Sequence, residues 1–217
     1  MFQREAAYVR THDLLEIDPE RFLSLHASAP EWAAEVLQRV PFIVVRRGLV
    51  SGQNIPIGVR GTERNQRWAA ECSPALVKSI TTPPQLLKRS VPVFRADSVP
   101  AFCSLLLLKG RWTVLGYPWG PGGSVGFELA TGSHVAKPES DLDIVIYADK
   151  PITTHEAKSL CALASGLPAA VDIRVETRTC GFSLKEYASR GVAPILLRTP
   201  GGVRLGSVSW MEGGESE

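Results

Sequence analysis

The chain predicts an α/β or α+β fold built on a mixed sheet, and three observations lead there. Short β-branched runs, such as Phe42–Val45 and Leu142–Tyr147, alternate with stretches of helical apolar spacing. Helix ends are marked chemically, by Thr153 with Glu156 as a capping box and by Gly132 and Gly166 as stops. The 217 residues, 44% of them hydrophobic, are enough to bury a sizeable core without staples.

The elements follow in order. Ala33, Val36, Leu37 and Val40 share a helical face over residues 30–40, and Pro41 stops the helix. Phe42–Val45 reads as a strand. Ser73-Pro74 is an N-cap and first-turn pair that predicts a helix carrying Leu76, Val77 and Ile80. Pro83, Pro84, Pro92 and Pro100 then crowd together and suggest a hinge. We divide the chain there, into a smaller N-terminal α/β domain (residues 1–95) and a C-terminal domain (residues 96–217). Residues 111–115 read as a strand, followed by a loop dense in Gly and Pro over 116–123. Ser124 opens a helix with Val125 and Leu129 one turn apart, closed by Gly132. Leu142–Tyr147 is a strand, the capping box starts a helix through Leu160 and Leu163, and residues 169–177 alternate as a strand. Residues 195–198 and 203–205 flank the turn Thr199-Pro200-Gly201-Gly202.

Composition excludes several classes. A net charge of +2 is too near balance for a protein that coats nucleic acid or a membrane surface. The richest apolar run, residues 101–108, is under half of the roughly 18–20 residues a membrane helix needs. The first five residues lack the features of a signal peptide. Cys72, Cys103, Cys161 and Cys180 form no C-x-x-C pair, so a zinc ribbon or disulfide scaffold is not expected. A soluble cytoplasmic protein with reduced thiols is the expectation.

The chemistry concentrates in Gly122-Gly123-Ser124 and in Ser140-Asp141-Leu142-Asp143. Strand alternation puts Asp141 and Asp143 side by side on one face while Leu142 and Ile144 enter the core. Carboxylates this close repel unless a cation sits between them, and carboxylate oxygens with water suit Mg²⁺. By itself the pair also fits two solvated acids on an edge strand. Glycines at 122 and 123 allow close backbone approach, and Ser124 at a helix N-terminus favours phosphate, although a plain tight turn has the same residues. Taken together, these features match the signature of the nucleotidyltransferase superfamily. Members supply a third acid from a neighbouring strand; Asp172 is the choice here, with Glu176 second. Glu176 also reads as a surface partner for Arg174 or Arg178.

Gly123-Ser-Val-Gly-Phe-Glu-Leu-Ala-Thr-Gly132 followed by Ser140-Asp-Leu-Asp-Ile144 resembles the phosphoribosyl-dephospho-CoA transferases that mature malonate decarboxylase. Ser124 and Asp141 keep the family spacing of 17 positions, while Phe127 and Glu128 stand where the family usually has Trp and often Gln. Residues 58–67 and the tail from Val175 to Pro200 are also similar. The resemblance implies transfer of phosphoribosyl-dephospho-CoA from 2′-(5″-triphosphoribosyl)-3′-dephospho-CoA to a serine of the acyl-carrier subunit of malonate decarboxylase, with loss of diphosphate. In that reading Asp141, Asp143 and Asp172 hold Mg²⁺, Gly123 and Ser124 position phosphates, and Asp172 is the candidate general base. The N-terminal half would close over the cofactor.

Arg60, Arg64 and Arg67 would share one face if helical, and would grip the dephospho-CoA diphosphate or an acidic carrier, or else form a solvated face. His12, His26, His134 and His155 show no metal-ligand spacing. Trp112, Tyr117 and Trp119 suit core packing better than an adenine platform. Two rival functions remain at this point: a generic ATP-dependent nucleotidyltransferase, and a non-catalytic carrier-protein binding module whose acids are structural.

Overall fold

In the computed structural model, the described residues are 9–49, 51–63, 65–112, 115–190, 193–208 and 210. They form two sheets, each with its own core. The first unit contains β1 (Leu14–Ile17), α1 (Pro19–Ser24), α2 (Glu31–Arg39), β2 (Phe42–Val45), β3 (Ile55–Arg60), β4 (Arg67–Cys72) and β5 (Val77–Thr81). Its antiparallel sheet has the order β4-β3-β2-β1-β5. Alternate residues Ile55, Ile57 and Val59 turn inward, against Phe22 of α1 and Leu37 of α2. Fully burying each such side chain is worth about 1.5–3 kcal/mol.

The second unit begins with three short helices, α3 (Pro83–Leu86), α4 (Val93–Ser98) and α5 (Pro100–Arg111). Each follows or starts at a proline, whose fixed φ suits a first helical turn. The first sheet closes at Thr81, ahead of the division at residue 95 taken from the sequence. The Pro83 carbonyl lies so close to Gly120 that a Cβ there would collide with it. Next come β6 (Trp119–Pro121), α6 (Gly123–Thr131), β7 (Leu142–Tyr147), α7 (Thr154–Leu163), β8 (Val171–Glu176), β9 (Gly181–Ser183), α8 (Leu184–Arg190), β10 (Ile195–Thr199) and β11 (Gly202–Gly206). The six-stranded sheet is mixed, as expected. Its order is β11-β10-β9-β8-β7-β6, with β7 and β8 parallel and the other neighbours antiparallel.

Three local expectations are corrected. Ser73-Pro74 opens a single 3-10 turn, Pro74–Leu76, and the chain then becomes β5 rather than a helix. The β-branched residues of Val77–Thr81 pair with the free edge of β1, so sheet pairing overrides the capping signal. Residues 111–112 are not strand: α5 runs through Arg111, and the Trp112 N–H bonds to Leu108 O. Lys109 and Arg111 in the last turn favour the negative end of the helix dipole. Thr113 and Val114, also expected in that strand, lie outside the described residues. The third correction concerns the helix on which Arg60, Arg64 and Arg67 would share a face: Arg60 ends β3, Arg67 begins β4, and the two are register partners. The two-residue alternation of Ile55, Ile57 and Val59, with Pro56 and Gly58 between them, opposes a helix. Arg64 lies outside the described residues.

Candidate active site at the β7–β8 pair

Parallel pairing in register places Asp143 directly beside Asp172. Leu142 and Ile144 are fully buried, so Asp141 and Asp143 share the opposite face, as the alternation predicts. Asp141 and Asp172 are exposed and Asp143 is half-buried. Burial, and then the charge of Asp172, push the Asp143 carboxyl above the ordinary aspartate range. Asp141 adds to this, while His12 and Arg60 pull it back. Both neighbouring acids therefore bear on Asp143, Asp172 from the adjacent strand. Arg174, two residues along β8, bonds Asp172 Oδ2 at 3.3 Å.

The Gly-rich turn is joined to these acids. Gly122 N–H donates to Asp143 O at 2.9 Å, and Gly123 has φ +54°, with Asp143 Oδ2 occupying the space a Cβ would need. Gly122 is the N-cap of α6 and makes no side-chain cap, and the helix starts at Gly123, one residue before the Ser124 start read from the sequence. Gly132 at φ +74° ends it. Farther along α6, Glu128 is buried and takes Arg95 Nε at 2.5 Å and Nη2 at 2.8 Å, and also the N–H groups of Val135 and Ala136. At this position, where the resemblance has Gln, the carboxylate holds the loop after the helix against α4.

Among the described residues no three His, Cys, Asp or Glu side chains form a ready metal cage. The donor set nonetheless suits Mg²⁺, which prefers one or two carboxylates completed by substrate phosphate oxygens and water. The repulsion between the Asp143 and Asp172 carboxylates is the charge conflict such a cation relieves.

Of the expected basic cluster, Arg60 is exposed at the hairpin end, close enough for its charge to favour ionised Asp143. Arg67 is exposed beside it. Glu176 is not a surface partner of Arg174 or Arg178. It is 4% exposed and bonds Arg47 Nη2 at 2.6 Å and His12 Nε2 at 3.0 Å. Its strand runs beneath the first unit, so the face that carries Asp172 also buries Glu176 four residues later. Burial alone would raise the Glu176 carboxyl, but His12 and Arg47 more than reverse this and hold it below the ordinary glutamate range. The Tyr147 hydroxyl donates to Thr11 O at 2.8 Å, and Arg10 pairs with Asp149, which fastens the two units together. His12 also reaches this sheet face, a contact the sequence reading missed, because no spacing rule links residue 12 to residue 176. Trp112 and Trp119 are buried edge to face with centroids 4.9 Å apart, which is core packing. His134 is exposed and packs its ring against Phe94.

Comparison with known proteins accounts for both units. The family model described as phosphoribosyl-dephospho-CoA transferase MdcG N-terminal domain matches residues 10–83, and that of the C-terminal domain matches residues 85–209. A phosphoribosyl-dephospho-CoA transferase of Azotobacter vinelandii is 35% identical over 206 residues, covering 93% of this chain and 94% of the relative. Proteins of the same name from Pseudomonas putida and Klebsiella pneumoniae are each 33% identical, over 201 and 205 residues. Each alignment covers 93% of this chain, with 95% of the first relative and 96% of the second. No solved structure matches. With both units matched by their models and relatives aligned nearly end to end, the chain belongs to the phosphoribosyl-dephospho-CoA transferase family and is a transferase enzyme.

Proposed function

We propose that this chain moves phosphoribosyl-dephospho-CoA from 2′-(5″-triphosphoribosyl)-3′-dephospho-CoA to a serine of the apo acyl-carrier subunit of malonate decarboxylase, releasing diphosphate. The observation that carries the reading is the in-register pair Asp143 and Asp172 beside the Gly122–Gly123 turn. Asp141, Asp143 and Asp172 are the residues that would hold Mg²⁺. When bound, the cation supplies charge neutralisation at the triphosphate and at the leaving diphosphate. The free N–H groups at the start of α6 orient phosphate oxygens, helped by the helix dipole. Arg60 adds positive charge from the first unit, so the donor sits between the two sheets. Such positioning accounts for much of the catalysis of phosphoryl transfer. We assign the reaction to the cytoplasm. Cys72, Cys103, Cys161 and Cys180 are free thiols, as a reducing compartment keeps them, and no described helix is long and apolar enough to cross a membrane.

The test is the intact mass of the acyl-carrier subunit, co-expressed with and without this protein. A phosphoribosyl-dephospho-CoA increment on a serine is expected. An adenylyl increment from ATP, with none from the triphosphoribosyl donor, would favour the generic nucleotidyltransferase. Complex formation with no mass change would favour a binding module.

A further inference from the structure

Among the described residues, His12 is the one non-glycine residue with a positive φ, +77°. A left-handed conformation costs an L-residue roughly 1–2 kcal/mol, so something in the fold must hold it there. Its N–H bonds Val45 O at 2.8 Å, and its ring Nε2 meets Glu176 Oε1 at 3.0 Å. Glu176 is in turn fixed by Arg47. The strained residue thus reaches from the first unit onto the sheet face of the second, the face shared by Asp143, Asp172 and Glu176. There a protonated ring would favour the ionised Asp143 carboxylate. The ring is 31% exposed, and Nδ1 makes no hydrogen bond. One imidazole nitrogen held by a buried carboxylate, with the other free on the sheet face that carries the acids, is the arrangement of a histidine general base with its orienting acid.

We infer that His12 is the base that takes the proton from the incoming serine hydroxyl, with Glu176 and Arg47 as positioning residues. This rests on the proposed function and reassigns Asp172 to cation binding alone. Glu176 accepts the Nε2–H, which leaves Nδ1 with its lone pair. As the serine oxygen bonds to the α-phosphorus, its proton passes to Nδ1 and the bond from phosphorus to the departing diphosphate breaks. The imidazolium, stabilised by Glu176, then returns the proton to solvent.

Glycine adopts φ +77° without strain, and asparagine tolerates it. His12→Gly and His12→Asn therefore remove the ring without forcing the backbone. Both variants are checked by circular dichroism, thermal melting and binding of 3′-dephospho-CoA, and transfer to the carrier is then timed. The expected kcat falls about 10²–10⁴-fold in both with KM little changed, and added imidazole restores transfer in His12→Gly but not in His12→Asn, whose side chain fills the space. Near-wild-type transfer by His12→Asn would show a structural role and overturn the assignment. So would a folded, inactive His12→Gly that imidazole does not revive. Wild type is assayed first. No transfer by it overturns the proposed function and the base together, whereas a working wild type with either result above overturns the base alone.

Discussion

Two glycines at the ends of α6 offer a matched pair of perturbations. Gly123 and Gly132 bound the same helix, and both have positive φ, +54° and +74°. Placing alanine at either costs roughly 1–2 kcal/mol for the left-handed backbone. For a chain of this size that lowers Tm by about 2–4 °C per kcal/mol. Their surroundings differ. Nothing lies within 4 Å of a Cβ at Gly132, while a Cβ at Gly123 would overlap Asp143 Oδ2. Gly123→Ala must therefore push the Asp143 carboxylate aside by about 1 Å, and a misplacement of that size costs on the order of 10²-fold in rate. Thermal melts should show similar losses in the two variants. Transfer assays with the acyl-carrier subunit should show near-normal turnover for Gly132→Ala and a loss of about 10²-fold for Gly123→Ala. Equal activity in the two variants would refute the claim that the turn shapes the acid site.

Further outcomes follow from the same contacts. Asp143→Asn should raise Tm in cation-free buffer, because it removes repulsion with Asp172 and a partly buried charge, and should lower transfer by more than about 10²-fold; a lower Tm would contradict the repulsion. Arg47→Ala leaves the buried Glu176 carboxylate with His12 alone, at about 3 kcal/mol in urea unfolding, and combining it with Glu176→Ala should recover part of the loss; strict additivity would argue against coupling. Asp13 is 1% exposed, and burial raises its carboxyl from 3.8 to about 6 despite the bonds it accepts from Arg10 N–H and Tyr147 OH. The native state therefore keeps that proton longer than the unfolded chain. This group's contribution makes stability fall as pH rises from about 4 to about 6, by about 3 kcal/mol in all. Urea unfolding across that window should show the fall in wild type relative to Asp13→Asn; parallel pH profiles would exclude it.

Local patterns carried much of the fold. Leu142–Tyr147 and Phe42–Val45 are strands with the bounds read from their β-branched runs. The Thr153 and Glu156 side chains make the reciprocal capping bonds that their spacing predicts. The candidate acids were legible for the same reason, because strand alternation fixes which face Asp141, Asp143 and Asp172 occupy. What misled was competition between levels. Val77–Thr81 has a good cap before it but a strand edge waiting beside it, and residues 111–112 carry strand-like neighbours at the end of an established helix. The Arg60, Arg64 and Arg67 spacing fits a helix as a count, yet the alternation just before it fits a strand. Contacts between the units were invisible. His12 and Arg47 meet Glu176 across more than 120 positions, and no periodicity encodes such a meeting.

Gly122 is hydrogen-bonded to Asp143, and Gly123 packs on its carboxylate, so the glycine turn and the acid are tied to each other. On the proposed function, accommodation of a large donor falls to the exposed end of the β3–β4 hairpin, which belongs to the other sheet. Chemistry and donor choice are thereby mechanically separable. Altering the hairpin end should retune which molecule is admitted while leaving the bond-making geometry untouched.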